Sequence, residues 1–107
     1  MTVRQIVDEL GFSVFTKANE EKVLGIYCCD LLSNALVKLR KQHAWLTVMN
    51  NVNVAAVAHN NGAACVILTE GIRPDEQFLI KANKFGIVVL GSDLPTYETA
   101  KKLNCIA

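Results

Sequence analysis

The sequence predicts an α/β fold: a three-layer sandwich around a mainly parallel sheet, in a single domain. Three observations carry that prediction. From residue 44 onward, strand-like and helix-like patterns alternate to the end of the chain. The runs A-A-C-V-I-L at 63–68 and I-V-V-L at 87–90 are apolar without a break, as in strands covered on both faces. The connections are short, so successive strands lie parallel and are joined by right-handed crossovers. A length of 107 residues suits one domain, at the lower end of the usual range of roughly 100–200 residues.

Each element has its own local reason. Thr2 can cap a helix whose Val3, Ile6, Val7 and Leu10 form one apolar stripe, with Gly11 placed to end it. Residues 12–15 read as a short strand, 16–21 as a polar loop, and 22–29 as a strand. Gly25 interrupts that strand, which suggests a bulge or a close backbone approach. Asp30 is expected to open the next helix, with Leu32, Ala35, Leu36 and Leu39 facing inward and Ser33, Asn34 and Lys38 outward. Strand 44–49 follows, then Asn50-Asn51 as the cap of a small, apolar helix at 52–59. Asn60-Asn61-Gly62 supplies residues that tolerate positive φ. Pro74, Asp75 and Glu76 start another helix that Lys81, Lys84 and Gly86 close. Ser92 or Asp93 is expected to cap the last helix, with Pro95 in its first turn.

Composition excludes several function classes. Eleven basic and ten acidic residues leave a formal charge of +1, and no basic stripe is visible, so nucleic acid is not the expected partner. Lys38-Leu39-Arg40-Lys41 falls at a helix C-terminus, where cations suit the dipole. No run approaches the roughly 20 apolar residues of a membrane span, and the first residues lack an apolar signal core. A cytoplasmic protein with no membrane contact is the expectation. Cys28, Cys29, Cys65 and Cys105 contain no C-x-x-C pair. Neighbouring Cys28 and Cys29 would point to opposite faces of a strand, so neither a metal nor a cofactor is expected.

In a parallel sheet all strand C-termini share one edge, where ligands usually bind. The sequence sets its polar residues there: Asp30, then Asn50, Asn51 and Asn53, then Thr69, Glu70 and Gly71, then Ser92 and Asp93. Helix N-termini open from the same edge and present backbone N–H groups. The same residue types are also the ordinary helix caps, so capping alone and capping combined with a small-ligand site both remain open.

The run T-V-M-N-N-V-N-V-A-A-V-A-H-N-N-G-A-A-C-V-I-L-T-E-G, followed by P-D-E and G-I-V-V-L-G-S-D-L-P-T-Y-E-T-A, resembles the DRTGG domain over nearly the whole chain, 1–107. Thr69 and Gly71 match the family's T-G-G, with Glu70 in place of its middle glycine. The D-R pair is absent; Asn50, Asn51, Val52 and Asn53 stand there. Thr96 and Thr99-Ala100 fit the family's final helix start. Such domains occur alone or beside catalytic domains, as in HPr kinase/phosphorylases, phosphate acetyltransferases and pyrophosphatases with CBS domains. The kinase activity of the first group needs a G-x-x-x-x-G-K-[ST] loop, which this chain lacks.

The resemblance and the polar edge together imply a non-catalytic regulatory or ligand-sensing module, binding a small metabolite or nucleotide at the strand C-terminal edge. The alternative is a dimerisation or assembly module for a redox or hydrogenase-linked enzyme system, because standalone relatives are encoded near such genes. No catalytic set converges: His43 opens a strand and His59 ends a helix, both at the opposite edge, and Cys65 starts its strand. A homodimer is expected because 51% hydrophobic residues exceed what a core of this size should bury. Ile26, Tyr27, Trp45 and Phe78 are the candidate outward residues.

Overall fold

The computed structural model describes residues 1–106. Its elements are α1 (Val3–Leu10), β1 (Ser13–Val14), β2 (Gly25–Cys28), α2 (Leu32–Lys38), β3 (His43–Thr47), α3 (Val52–Asn61), β4 (Cys65–Leu68), α4 (Glu76–Phe85), β5 (Val89–Gly91) and α5 (Thr96–Ile106). The strands form one sheet in the order β1-β5-β4-β3-β2. β2 to β5 run parallel, and β1 closes one side antiparallel to β5.

Alternation in β4 shows why the fold has three layers. Cys65 and Ile67 belong to one buried cluster, Val66 and Leu68 to the other, and all four are fully buried. The first cluster lies under α1 and α5, through Val3, Ile6 and Leu103. The second lies under α2, α3 and α4, through Ala35, Val54, Ala55, Ala58, Phe78 and Ala82. Small residues on α3 allow that helix to lie close to the sheet, as its composition suggests.

Several local expectations are met and several are corrected. Thr2 forms a complete capping box with Gln5, and Gly11, Gly62 and Gly86 end their helices in the left-handed conformation. Asn60 and Asn61 need no positive φ; Asn61 instead donates its amide to the carbonyls of Ala35, Leu36 and Leu39 and so caps the end of α2. Asp30 does not open α2, whose N-cap position is Leu31 with no side-chain bond. Its carboxylate accepts from Thr47 Oγ1 at 2.8 Å and Val48 N–H at 2.9 Å, tying the end of β2 to the end of β3. Leu36 lies outside the buried stripe of α2 and is half exposed.

Trp45 and Phe78 are not outward aromatics. Both are fully buried, and the Trp45 indole donates to the Cys29 carbonyl at 3.0 Å. Side chains of this size are what a thin sheet layer needs to fill the space beneath α2 to α4. Ile26 and Tyr27 are half buried.

The interruption at Gly25 is a close approach and not a bulge within the strand. Gly25 to Cys28 pair one to one with His43 to Leu46, and Leu24 N–H donates to Gln42 O just before the strand begins. A Cβ at Gly25 would stand 2.5 Å from the His43 ring.

Thr16 holds the other side of the sheet. Its buried hydroxyl donates to Ile87 O and accepts from Val89 N–H, both at 2.8 Å. Thr16→Val keeps the shape but strands a buried N–H and a buried carbonyl, and should cost about 2 kcal/mol. Urea unfolding monitored by circular dichroism checks this, and an unchanged midpoint would refute it.

Candidate functional site

β4 ends in a tight reversal. Glu70 and Gly71 have φ of 61° and 70°, and Ile72 N–H returns to Thr69 O at 3.1 Å, which is a type I′ turn. Such a turn needs positive φ at both central positions. Glycine meets that freely, whereas Glu70 bears a left-handed strain of about 1 kcal/mol.

The turn does not offer its amides to solvent. Glu70 N–H donates to Leu94 O and Gly71 N–H to Ser92 O, each at 2.9 Å. Two pairs of hydroxyls fasten the same loops to α5: Thr69 with half-buried Thr96 at 2.7 Å, and Ser92 with Thr99, both buried, at 2.9 Å. Thr99 also donates to Pro95 O. Ser92 accepts from Leu94 N–H, so it shapes the loop before α5 and does not cap the helix itself. The turn is therefore first a structural joint.

The expected site residues fall into two groups. Thr69, Glu70, Gly71, Ser92 and Asp93 meet at this joint, where a Cβ on Gly71 would lie 3.6 Å from the Asp93 carboxylate. Thr69 and Ser92 are buried there, while Glu70 and Asp93 are exposed. Asn50, Asn51 and Asn53 belong to the neighbouring loop. Asn50 exchanges bonds with 73–75, through Arg73 O at 2.8 Å and Asp75 N–H at 3.1 Å. Asn51 caps α3 by accepting from Asn53 N–H at 3.0 Å. Asp30 stands at the edge as expected, while Thr96 and the Arg73–Phe15 stack, 5.2 Å from guanidinium to ring centroid, complete it without having been among the expected site residues. The spacing of Thr96 from Thr69 in the chain carries no signal of their contact.

The joint is also where the chain divides. After β4 it passes to α4 on one face of the sheet, and after β5 to α5 on the other. That divergence is the usual ligand position of open α/β sheets. A cavity of about 220 Å³ opens on the α1/α5 side, lined among others by Gly11, Ser13, Ser92, Asp93 and Lys102.

The fold sorts the charges that nearly cancel in the sequence. Asp8, Glu9, Asp30, Glu70, Asp75, Glu76, Asp93 and Glu98 all lie toward the strand C-terminal edge, where Arg73 and Lys102, which lines the cavity beside Asp93, are the bases. Arg4, Lys17, Lys22, Lys38, Arg40, Lys41, Lys81 and Lys84 lie toward the other edge, with Glu20 and Glu21. Helix dipoles explain part of this, since acids sit at the starts of α4 and α5. They do not explain α1, which has Arg4 in its first turn and Asp8 and Glu9 in its last, against its own dipole. The C-terminal edge is thus acidic and poorly suited to a bare phosphate.

Reactive groups lie elsewhere or are muted. Burial, with Glu21 nearby, pushes the Cys65 thiol up to about 12, and burial with Asp30 nearby raises that of Cys28. His59 is stacked on Phe85 at the opposite edge, with ring centroids 4.1 Å apart. Among the described residues no three His, Cys, Asp or Glu side chains are grouped to hold a metal, and no helix is long and apolar enough to cross a membrane.

A family model described as the DRTGG domain matches residues 5–106. The chain belongs to the DRTGG domain family. Its T-G-G element now has a physical reason: the two glycines fall on the two positive-φ positions of the turn, one of which this member fills with Glu70. Among solved structures, the chain is similar to the CBS and DRTGG domains of the regulatory region of Clostridium perfringens pyrophosphatase, complexed with its activator diadenosine tetraphosphate. The TM-score is 0.72 at 11% identity, over 94% of this chain and 44% of that one. The likeness is one of fold, and this DRTGG domain spans less than half of the compared regulatory region. No curated protein matches.

Two measurements check the joint. Glu70→Gly should stabilise the domain by about 1 kcal/mol by relieving the left-handed strain, while Gly71→Val should cost about 1–3 kcal/mol. Opposite signs in denaturant melts are the signature, and equal signs would refute the turn assignment. Separately, Cys65 should resist a thiol reagent at pH 8 in the folded protein and react on unfolding, whereas exposed Cys105 labels in both states.

Proposed function

We propose that this DRTGG domain is a non-catalytic regulatory module that senses a small ligand at the β4/β5 divergence. The observation that carries the reading is the cavity of about 220 Å³ beside the point where the chain parts to the two faces. It is smaller than the roughly 300–1,000 Å³ of drug-sized pockets, so it takes a small metabolite or one end of a nucleotide. Asp93 and Lys102 are its charged groups, and the acidic residues along the same edge favour a neutral or cationic moiety over a free phosphate. The absence of converging nucleophile, base and oxyanion donors supports a role in sensing over catalysis. A regulatory region as the setting of the similar fold is in keeping with this.

A ligand there would act on the joint itself. The 69–72 turn and the 92–94 loop are held by two backbone bonds and paired hydroxyls, and both lead directly into helices. Binding that tightens or parts these loops would shift α4 and α5 against each other, a change a neighbouring domain could read.

A second reading, an assembly module, is favoured by one specific observation: β2 has an unpaired outer side. The two readings are compatible if the sensor works as a homodimer, and we take the homodimer as part of the proposal.

Thermal-shift screening against nucleotides, phosphates, acyl phosphates and small cationic metabolites tests the sensing role. A ligand at about a hundredfold over its Kd adds about 2.7 kcal/mol, which is a shift of several degrees for a domain of this size. Asp93→Ala should abolish that shift while leaving the unliganded melting temperature near its starting value. No shift across the panel would leave assembly as the function.

A further inference from the structure

The open side of β2 is bare at a defined place. Lower down it is covered, because Val23 N–H donates to Met1 O at 2.8 Å and Val3 N–H to Glu21 O at 2.9 Å. Above that, Cys29 N–H turns inward to Leu46 O at 3.2 Å. Alternation along the strand therefore turns the N–H and C=O groups of Ile26 and Cys28 outward. Unpaired groups of this kind are a template for another strand, and a charge or a proline is one of the devices by which edges are kept single. Gly25–Cys28 carries neither.

Exposed apolar side chains gather on the same part of the fold. Leu24 is 64% exposed beside β2, and Leu31, Leu36 and Val37 are 56%, 50% and 80% exposed on the segment that follows it. Among the described residues the remaining three large exposed apolar side chains, Val14, Ile80 and Tyr97, are spread over three other elements. A groove of about 650 Å³, lined by Val23, Leu24, Ile26 and Ala100 among others, runs along the α5 side of the strand.

We infer that this edge is the dimer interface, with β2 paired antiparallel to β2 of a second copy about a two-fold axis at Tyr27. The inference rests on the homodimer reading given above and names its surface. The sorted charges select the occupant and its direction. A parallel neighbour would set acidic edge beside acidic edge, whereas an antiparallel copy sets the acidic edge of each beside the basic edge of the other. Only Ile26 and Cys28 present free groups, and the antiparallel register that uses all of them places Ile26 opposite Cys28 of the second copy. The four exposed side chains hold on the order of 400 Å² of apolar surface, about half of the roughly 800 Å² per partner that a stable pair buries. The strand edge, the groove and the flank of α2 supply the remainder. The outcome is one continuous sheet across both copies.

Light scattering coupled to size-exclusion chromatography tests this at tens of micromolar. The wild type should show twice the 11.7 kDa chain mass. Cys28→Pro removes an N–H that β3 does not use, which an edge strand tolerates, and Leu24→Lys sets a charge beside the edge. Each should elute at the single-chain mass with an unchanged circular-dichroism spectrum. If Cys28→Pro fails to fold, Leu24→Lys decides together with amide exchange, in which the Ile26 and Cys28 protons of the wild type should slow at least tenfold between dilute and concentrated samples. Folded variants that keep the doubled mass, or a doubled mass with both amides exchanging freely, would overturn this interface and leave the homodimer standing. A single-chain mass for the wild type would overturn both.

Discussion

Burial of β4 on both faces is the constraint from which the rest of the structure follows. A strand with no solvent side must be covered twice, and a single short chain can do that only by sending helices to both faces. Three successive crossovers place α2, α3 and α4 on one face, and the two terminal helices, α1 and α5, cover the other. The division of the chain after β4 and β5 is a consequence of this wrapping. So is the gathering of loops at one edge, the edge where open α/β sheets usually bind ligands.

The same wrapping makes the joint at 69–72 demanding. The chain leaves β4 toward one face beside a loop that leaves β5 toward the other, and both loops must satisfy their backbone groups without a further strand. They do so by donating to each other, with buried Thr and Ser hydroxyls filling the remaining valences. A glycine pair suits such a turn. A glutamate in the left-handed conformation is a local cost that the packing around it over-determines, and strained residues of this kind tend to sit where function does.

Charge sorting links the site to the assembly. Helix starts favour acids and helix ends favour bases, and three helices on one face point the same way, so the sheet acquires an acidic and a basic edge. α1 joins this pattern against its own dipole. The domain has a small net charge and a large internal asymmetry, which disfavours anions at the acidic edge and would favour an antiparallel neighbour over a parallel one.

From the sequence alone, the class of fold, the helices with the caps of α1, α3 and α4, the buried strands 63–68 and 87–90 and the family were legible, because periodicity, capping chemistry and two-sided burial are local properties. The positive φ at Gly71 and the special role of Gly25 were legible for the same reason, since glycine marks places where backbone geometry is unusual. What only the tertiary structure decided involves partners distant in the chain. Asp30 looks like a helix cap because caps have that composition, yet it serves Thr47 and Val48 across the sheet. Trp45 and Phe78 could have faced either way, and layer thickness buried them. Asn50, Thr69 and Ser92 were identifiable as edge residues, but their bonds to Arg73, Thr96 and Thr99 depend on how the loops meet, which has no trace in spacing. The sorting of charge to two edges is likewise invisible in a balance of +1, because it arises only when helices are laid side by side.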